Sequence, residues 1–383
     1  MSPIVIIGSG LAGYNVAREL RKLDKAAPLV ILSADGGQFY SKPMLSNALA
    51  SNKLPEAIPM NSAEQMAAQL DAVVRPRTRV TAIEPARHGV RIGDETLTYS
   101  RLILALGAGQ IRLPPEGDAA HAVLSVNDLD DYAAFRAAIS GGKSVALIGA
   151  GLIGCEFAND LAATGHRVDV VDIAGQPLPR LLPPAGGALL RDRLAALGVT
   201  WHFGTGVKRV DRAGAQLRVT LGNGQEIVSD VVLSAVGLKP RTELARAAGL
   251  NTDRGITVDR MLATSATDVY ALGDCAEVEG LVLPFVMPIM HAARALAATL
   301  AGKATAVAYP AMPVLVKTPA CPTIISPPAS GAAGEWQIEQ AGDSVKSLFV
   351  DGAGRLLGFA LNGAATAERA KLAPQLPPVL APA

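Results

Sequence analysis

Thiols are scarce in this chain of 383 residues: Cys155, Cys275 and Cys321 are the only three, and they stand far apart. An odd, scattered set excludes a disulfide framework. With no C-x-x-C pair and no cysteine–histidine cluster, it also excludes a zinc site, and no metal is expected. A reducing cytoplasm follows as the compartment. Neither sign of charge is in excess, with 35 lysines and arginines against 34 aspartates and glutamates, so composition carries no footprint for nucleic acid. No uninterrupted apolar run is long enough to cross a bilayer, and the N-terminus runs straight into a strand rather than a signal peptide. What remains is a half-hydrophobic, weakly charged chain, which fits a well-packed α/β protein of two or three domains.

Against these absences stands one pattern that occurs twice. Val5-Ile6-Ile7 breaks into Gly8-Ser9-Gly10-Leu11-Ala12-Gly13, and a helix-compatible segment follows. In a G-x-G-x-x-G of this kind Gly8 permits the tight strand-to-helix turn, Gly10 lets backbone approach a pyrophosphate, and Gly13 lets the helix pack close to the sheet. Phosphates then sit on the positive end of that helix. Val145 to Ile148 repeats the strand, and Gly149, Gly151 and Gly154 repeat the spacing around Leu152 and Ile153. Two copies imply two dinucleotides.

Beyond the first copy, Pro28 to Leu32 reads as a second parallel strand. Asp35, 27 positions past Gly8 (35 − 8), is either a ribose-binding carboxylate or a loop aspartate. Pro43 sets Lys42 at a helix entrance, and from this stretch alone the lysine is an ordinary solvated group. Residues 51–70 are predicted helical. Arg79 to Ile83 alternates as a strand, with a small meander over 89–99. Leu102 to Ala108 is a buried strand whose small-residue end, at Ala105 and Gly107, suits close passage by a nucleotide. Pro114-Pro115 marks a crossover.

After the second copy the strand from Arg167 ends at Asp172, 23 positions beyond Gly149 (172 − 149). An acid there accepts hydrogen bonds from a ribose diol and repels a 2′-phosphate. No arginine follows it, so NADH is favoured over NADPH. A strand from Val231 ends at Gly237, and Lys239-Pro240-Arg241 marks the return crossover. Val269 to Leu272 delivers Asp274 right after Gly273, either as an acid at the strand's carboxyl end or as a turn aspartate capping the next helix, and Ile289 to Leu300 reads as a helix. From Pro313 the chain changes character, with strands at 335–339, 344–350 and 355–361. The tail from Pro374 is predicted to fray.

Taken together, Ile6 to Asn15, Tyr40 to Ser46, Leu147 to Asp160, Ser234 to Leu238, Val269 to Val278 and Val316 to Pro322 resemble the pyridine nucleotide–disulfide oxidoreductase flavoproteins. The resemblance spans essentially the whole chain. It implies an α/β fold: two nested Rossmann-like, glutathione-reductase-type nucleotide-binding domains plus a small α+β C-terminal domain. The FAD-binding domain would comprise 1–112 and 238–312, the NAD-binding domain 113–237, and the C-terminal domain 313–383.

The resemblance also implies roles. Gly8, Ser9, Gly10, Ala12 and Gly13 hold the FAD pyrophosphate, with Asp35, Ala105, Gly107 and Gly273 along the cofactor. Backbone near Val80 meets the adenine, Asp274 holds the ribityl–phosphate region, and Pro288 faces the isoalloxazine end. Gly149, Gly151, Leu152, Ile153, Gly154, Asp172 and Gly237 serve NAD. Lys42 falls near flavin N5 with Glu156 as partner, either as a functional charge pair or as a structural one joining two domains. Lys317 and Thr318 approach the flavin edge from the third domain, or make a polar domain contact.

Two departures from the family pattern matter. Leu106 stands where a threonine is common, and the redox cysteine pair of disulfide-reducing members is missing. Without a thiol relay, electrons must leave directly from the flavin, in single steps, to an iron protein. The resemblance points to the branch served by rubredoxin, an acidic iron protein. Arg18, Arg21, Lys22 and Lys25 are either its steering patch or a plain solvated helix face. The chain is expected to act as a monomer or weak dimer, without membrane insertion. Alternative acceptors are ferredoxin, flavorubredoxin or dioxygen, and a rival of another class is a nucleotide-binding scaffold without turnover.

Overall fold

Short apolar runs align here as central parallel strands. In the computed structural model, which describes residues 2–382, the strands Val269–Ala271, Arg101–Leu104, Ile4–Ile7, Leu29–Leu32 and Val73–Arg75 lie in that order in one parallel sheet. Every residue of Ile4–Ile7 is buried, as a strand covered on both faces requires. Helices Leu11–Leu23 and Val286–Leu300 pack against each other in the same core. A second parallel sheet runs Val199–Phe203, Val168–Asp172, Val145–Ile148, Val231–Ser234. Each unit also carries a three-stranded antiparallel meander, over 82–98 and 207–229.

The second unit is inserted into the first. The chain leaves through Ala108–Gln110 and returns through Leu238–Pro240, and these two crossovers pair antiparallel. The third unit is a five-stranded sheet in the order Val314–Val316, Thr323–Ser326, Leu356–Asn362, Ser344–Val350, Glu335–Ala341, with the short helix Arg369–Leu372. Alternation along its strands separates two faces. Val316, Ile325 and Ala360 share a core with Val145, Leu161 and Leu190 of the second unit, while Phe359 and Leu361 pack against Leu372 and Leu376. Among the described residues no helix is long and apolar enough to cross a membrane.

Two expectations need correction. Over 51–70 only Ala63–Leu70 is α-helical, because Pro55 and Pro59 interrupt the upstream part. Ser62 and Gln65 form a reciprocal capping box that starts the helix there. The tail is docked rather than frayed. Tyr309 and Leu380 exchange backbone hydrogen bonds of 2.8 and 3.0 Å, and Arg260 Nη1 donates to the Ala381 carbonyl at 2.8 Å. Leu376 and Leu380 are buried, so apolar side chains between the prolines find a core to enter.

Candidate functional site

The two glycine clusters fold alike. Gly8 and Gly149 have φ of +116° and +107°, and a side chain at Gly8 would run into the Ala105 carbonyl. One at Gly149 would lie 2.8 Å from the Ala235 carbonyl. In front of the middle glycines the space is open: a Cβ on Gly10 or Gly151 would meet nothing within 4 Å. Gly10 and Gly151 are also the N-caps of Leu11–Leu23 and Leu152–Ala163. Neither helix has a side-chain cap or an acidic residue in its first turn. Each start therefore presents free amides and a positive dipole end, and a phosphate fits both.

The two candidate ribose acids stand beside these cradles. Asp35 Oδ1 accepts from the Ser33 hydroxyl, from Gly37 N–H at 2.9 Å and from Ser9 Oγ at 3.2 Å, leaving Oδ2 without a hydrogen bond. The loop carrying Val80 is drawn to the same end by Arg77 N–H to Asp35 O (2.7 Å) and Thr78 N–H to Ser33 O (2.6 Å). Asp172 Oδ2 accepts from Ala150 N–H at 2.6 Å, inside the second glycine cluster, and Oδ1 from Ala174 N–H at 2.7 Å. Gly273 seats the Asp274 turn on the start of the first helix, since a Cβ there would come 2.8 Å from Ala12 Cβ. Pro288 is buried in the first turn of Val286–Leu300, and Gly237 lies at the return crossover.

Lys42 opens the 3-10 turn Lys42–Ser46. Burial holds its ammonium below the usual lysine range; Asp274 opposes that shift, and the guanidinium of Arg241 adds to it. Burial likewise pushes the Asp274 carboxyl up, with Lys42 pulling it back. Neither side chain makes a hydrogen bond to another described residue, so two opposite, desolvated charges within each other's influence keep hydrogen-bonding capacity to spare. The sequence marks Arg241 only as part of the return crossover, not as a neighbour of Lys42. Its Nη1 donates to the Leu106 carbonyl at 3.1 Å and its N–H to Gly107 O at 3.0 Å, pinning the return crossover to the end of the Arg101–Leu104 strand.

Glu156 does not pair with Lys42. It is fully buried and accepts from the Lys317 ammonium, from Lys317 N–H at 2.9 Å and from Ser46 Oγ at 2.6 Å. The reason is connectivity: the third unit packs onto the helix Leu152–Ala163 and brings Lys317 to the carboxylate, while Lys42 lies on the Asp274 side. Asn159 Oδ1 accepts from Ala320 N–H at 3.1 Å, and Asp160 accepts from Leu49 and Ala50 N–H at 3.0 and 2.9 Å. One helical face, at spacings of three and four, thus fastens all three units. Thr318 turns inward, donating from Oγ1 to Cys321 O at 2.8 Å. An acid and an amide recurring with Glu156 on an otherwise apolar helix were the legible signal for this face.

Other expected groups are used elsewhere. Arg18 lies 4.0 Å over the Phe39 ring, Arg21 donates to the Leu70 and Asp71 carbonyls, and Lys22 pairs with Glu19 at 2.7 Å. Of the basic face on the first helix, these three are tied into local structure. The three cysteines are buried and free, and burial pushes each thiol up, Cys275 to about 11. Among the described residues no three His, Cys, Asp or Glu side chains gather as a metal site.

Residues 2–299 match the pyridine nucleotide-disulphide oxidoreductase family, and residues 306–376 match the rubredoxin binding C-terminal domain. The chain is 50% identical over 381 residues to a rubredoxin-NAD(+) reductase of Alcanivorax borkumensis, covering 99% of this chain and 100% of the relative. It is 46% identical to that of Acinetobacter baylyi, with both chains covered completely. A nitric oxide reductase FlRd-NAD(+) reductase of Aeromonas hydrophila is 38% identical over 98% of this chain and 96% of its own. The crystal structure of a ferredoxin reductase from Rhodopseudomonas palustris superposes with a TM-score of 0.86 at 27% identity, over 94% of this chain and 91% of that one.

Proposed function

The chain belongs to the pyridine nucleotide-disulphide oxidoreductase family, and from that premise we propose that it is an NADH-dependent flavoprotein delivering electrons to rubredoxin. The observation that carries this reading is the third unit, whose residues 306–376 match a rubredoxin-binding domain and which is fastened through Lys317 to the second nucleotide helix. Binding of FAD and NAD(H) follows from the family. The assignment to residues is our own: the cradle at Gly8, Gly10 and Gly13 for FAD, the one at Gly149, Gly151 and Gly154 for NADH.

Bound flavin supplies the conversion of a two-electron hydride donor into a source of single electrons. The protein's own groups bind and orient. The amides at Gly10–Ala12 hold one pyrophosphate and those at Gly151–Ile153 the other, and Asp35 and Asp172 take ribose hydroxyls. Asp274 takes the polar chain of the flavin, and Lys42 sets a cation, unclaimed by any hydrogen bond, where negative charge develops. Lys317 is already engaged by Glu156 and acts by orienting the third unit. The buried thiols stay protonated at neutral pH, so no sulfur relay is at hand.

Anaerobic titration tests the reading. One equivalent of NADH should bleach the yellow protein, and rubredoxin should restore the colour faster than ferredoxin, flavorubredoxin or dioxygen. A colourless protein, or colour that NADH leaves intact, would sink the flavoprotein reading. Faster reoxidation by another acceptor would overturn the choice of partner. Flavorubredoxin is the second reading, favoured by the 38% identical FlRd-NAD(+) reductase.

A further inference from the structure

We propose that Asp160 is a positioning residue that acts through Lys42, gripping the segment that carries this lysine. The proposal rests on the role of Lys42 argued above. Lys42–Ser46 is a single 3-10 turn containing Pro43, a weak element by itself, and irregular turns follow it. Leu45 and Ala48 sink into the core shared with the second unit, which sets the depth of the segment. Apolar contact has no direction, so register must come from hydrogen bonds.

Those bonds are few. Ser46 Oγ donates to Glu156 at 2.6 Å, and the consecutive amides of Leu49 and Ala50 donate to the two oxygens of Asp160 at 3.0 and 2.9 Å. Asp160 is 3% exposed. The helix Leu152–Ala163 gains nothing from a carboxylate there, since an apolar residue would pack without desolvating a charge. Its two oxygens instead match two backbone donors of the other unit. Lys42 has no hydrogen-bond partner among the described residues, so any slip of the segment passes straight to its ammonium.

A double-mutant cycle on the holoprotein tests this. In stopped flow, Asp160→Ala should slow bleaching by saturating NADH by up to about a hundredfold, the scale of an ångström-sized misplacement. FAD content and NADH affinity should be unchanged, and Asp160→Asn, which keeps one acceptor, should recover part of the rate. Adding Asp160→Ala to Lys42→Met should cost nothing further, because both changes act through one ammonium. Losses that multiply would overturn the proposal, as would a full rate in Asp160→Ala beside a slow Lys42→Met. A full rate in Lys42→Met would instead overturn the role given to Lys42 itself. Where the alanine variant does not fold, the same cycle with Asp160→Asn decides the question.

Discussion

Three donors converge on Glu156, which has no exposed surface, and one of them is the ammonium of a side chain 23% exposed. Glu156→Gln keeps the shape and one acceptor oxygen, which can still serve the Lys317 amide, but loses the second acceptor and leaves that ammonium without its counter-charge. Removing one member of a buried pair costs about 3–5 kcal/mol, and partial solvation of Lys317 lowers this to about 2–3 kcal/mol. A urea midpoint equal to that of the parent would reject the pair as a stabilising link. The thiols offer a second measurement at this scale. Their raised pKa values mean that iodoacetamide at pH 8 should label none of them in the folded protein and leave electron transfer intact. The sign of the pH effect follows: unfolded chain releases a thiol proton near 9, folded Cys275 only near 11. The contribution of Cys275 is therefore whole below 9 and is lost as pH climbs to about 11. Melting temperatures should fall across that window, less steeply in Cys275→Ala.

At the scale of elements, the chain contains the same strand–turn–helix twice, with matching dihedral angles and matching close approaches, and we propose a different ligand for each copy. This makes each the control for the other. Alanine at Gly8 or Gly149 would need a positive φ that L residues avoid, at about 1–2 kcal/mol or more, besides displacing a neighbouring carbonyl. Gly8→Ala should be purified with little bound FAD. Gly149→Ala should keep its yellow colour and resist bleaching by NADH. Loss of FAD from both variants to the same degree would contradict the assignment of the two cradles.

At the scale of the whole molecule, the insertion of one unit into another, the shared helical face and the docked tail hold three units in one arrangement. Deleting from Pro377 onward removes Leu380 from the core and the strand-like exchange with Tyr309, a loss of about 2 kcal/mol. Thermal stability should drop and transfer to rubredoxin should fall, while reduction of ferricyanide, which needs no docking surface, stays near the parent value. Equal losses with both acceptors would place the damage in the nucleotide units instead. Much of this molecule was readable from the chain alone, because glycine spacing, apolar runs and strand-end acids are local signals set by backbone geometry. Both glycine turns, the central strands and the return of the chain to the first sheet are of that kind. What only tertiary structure decided is who meets whom. Glu156 could be matched to Lys42 on paper, but the third unit delivers Lys317 to it across 161 positions of sequence. Asp160, Arg241 and the leucines of the tail likewise acquire partners that no local pattern specifies, since long-range contacts are chosen by which surfaces the packed sheets bring together.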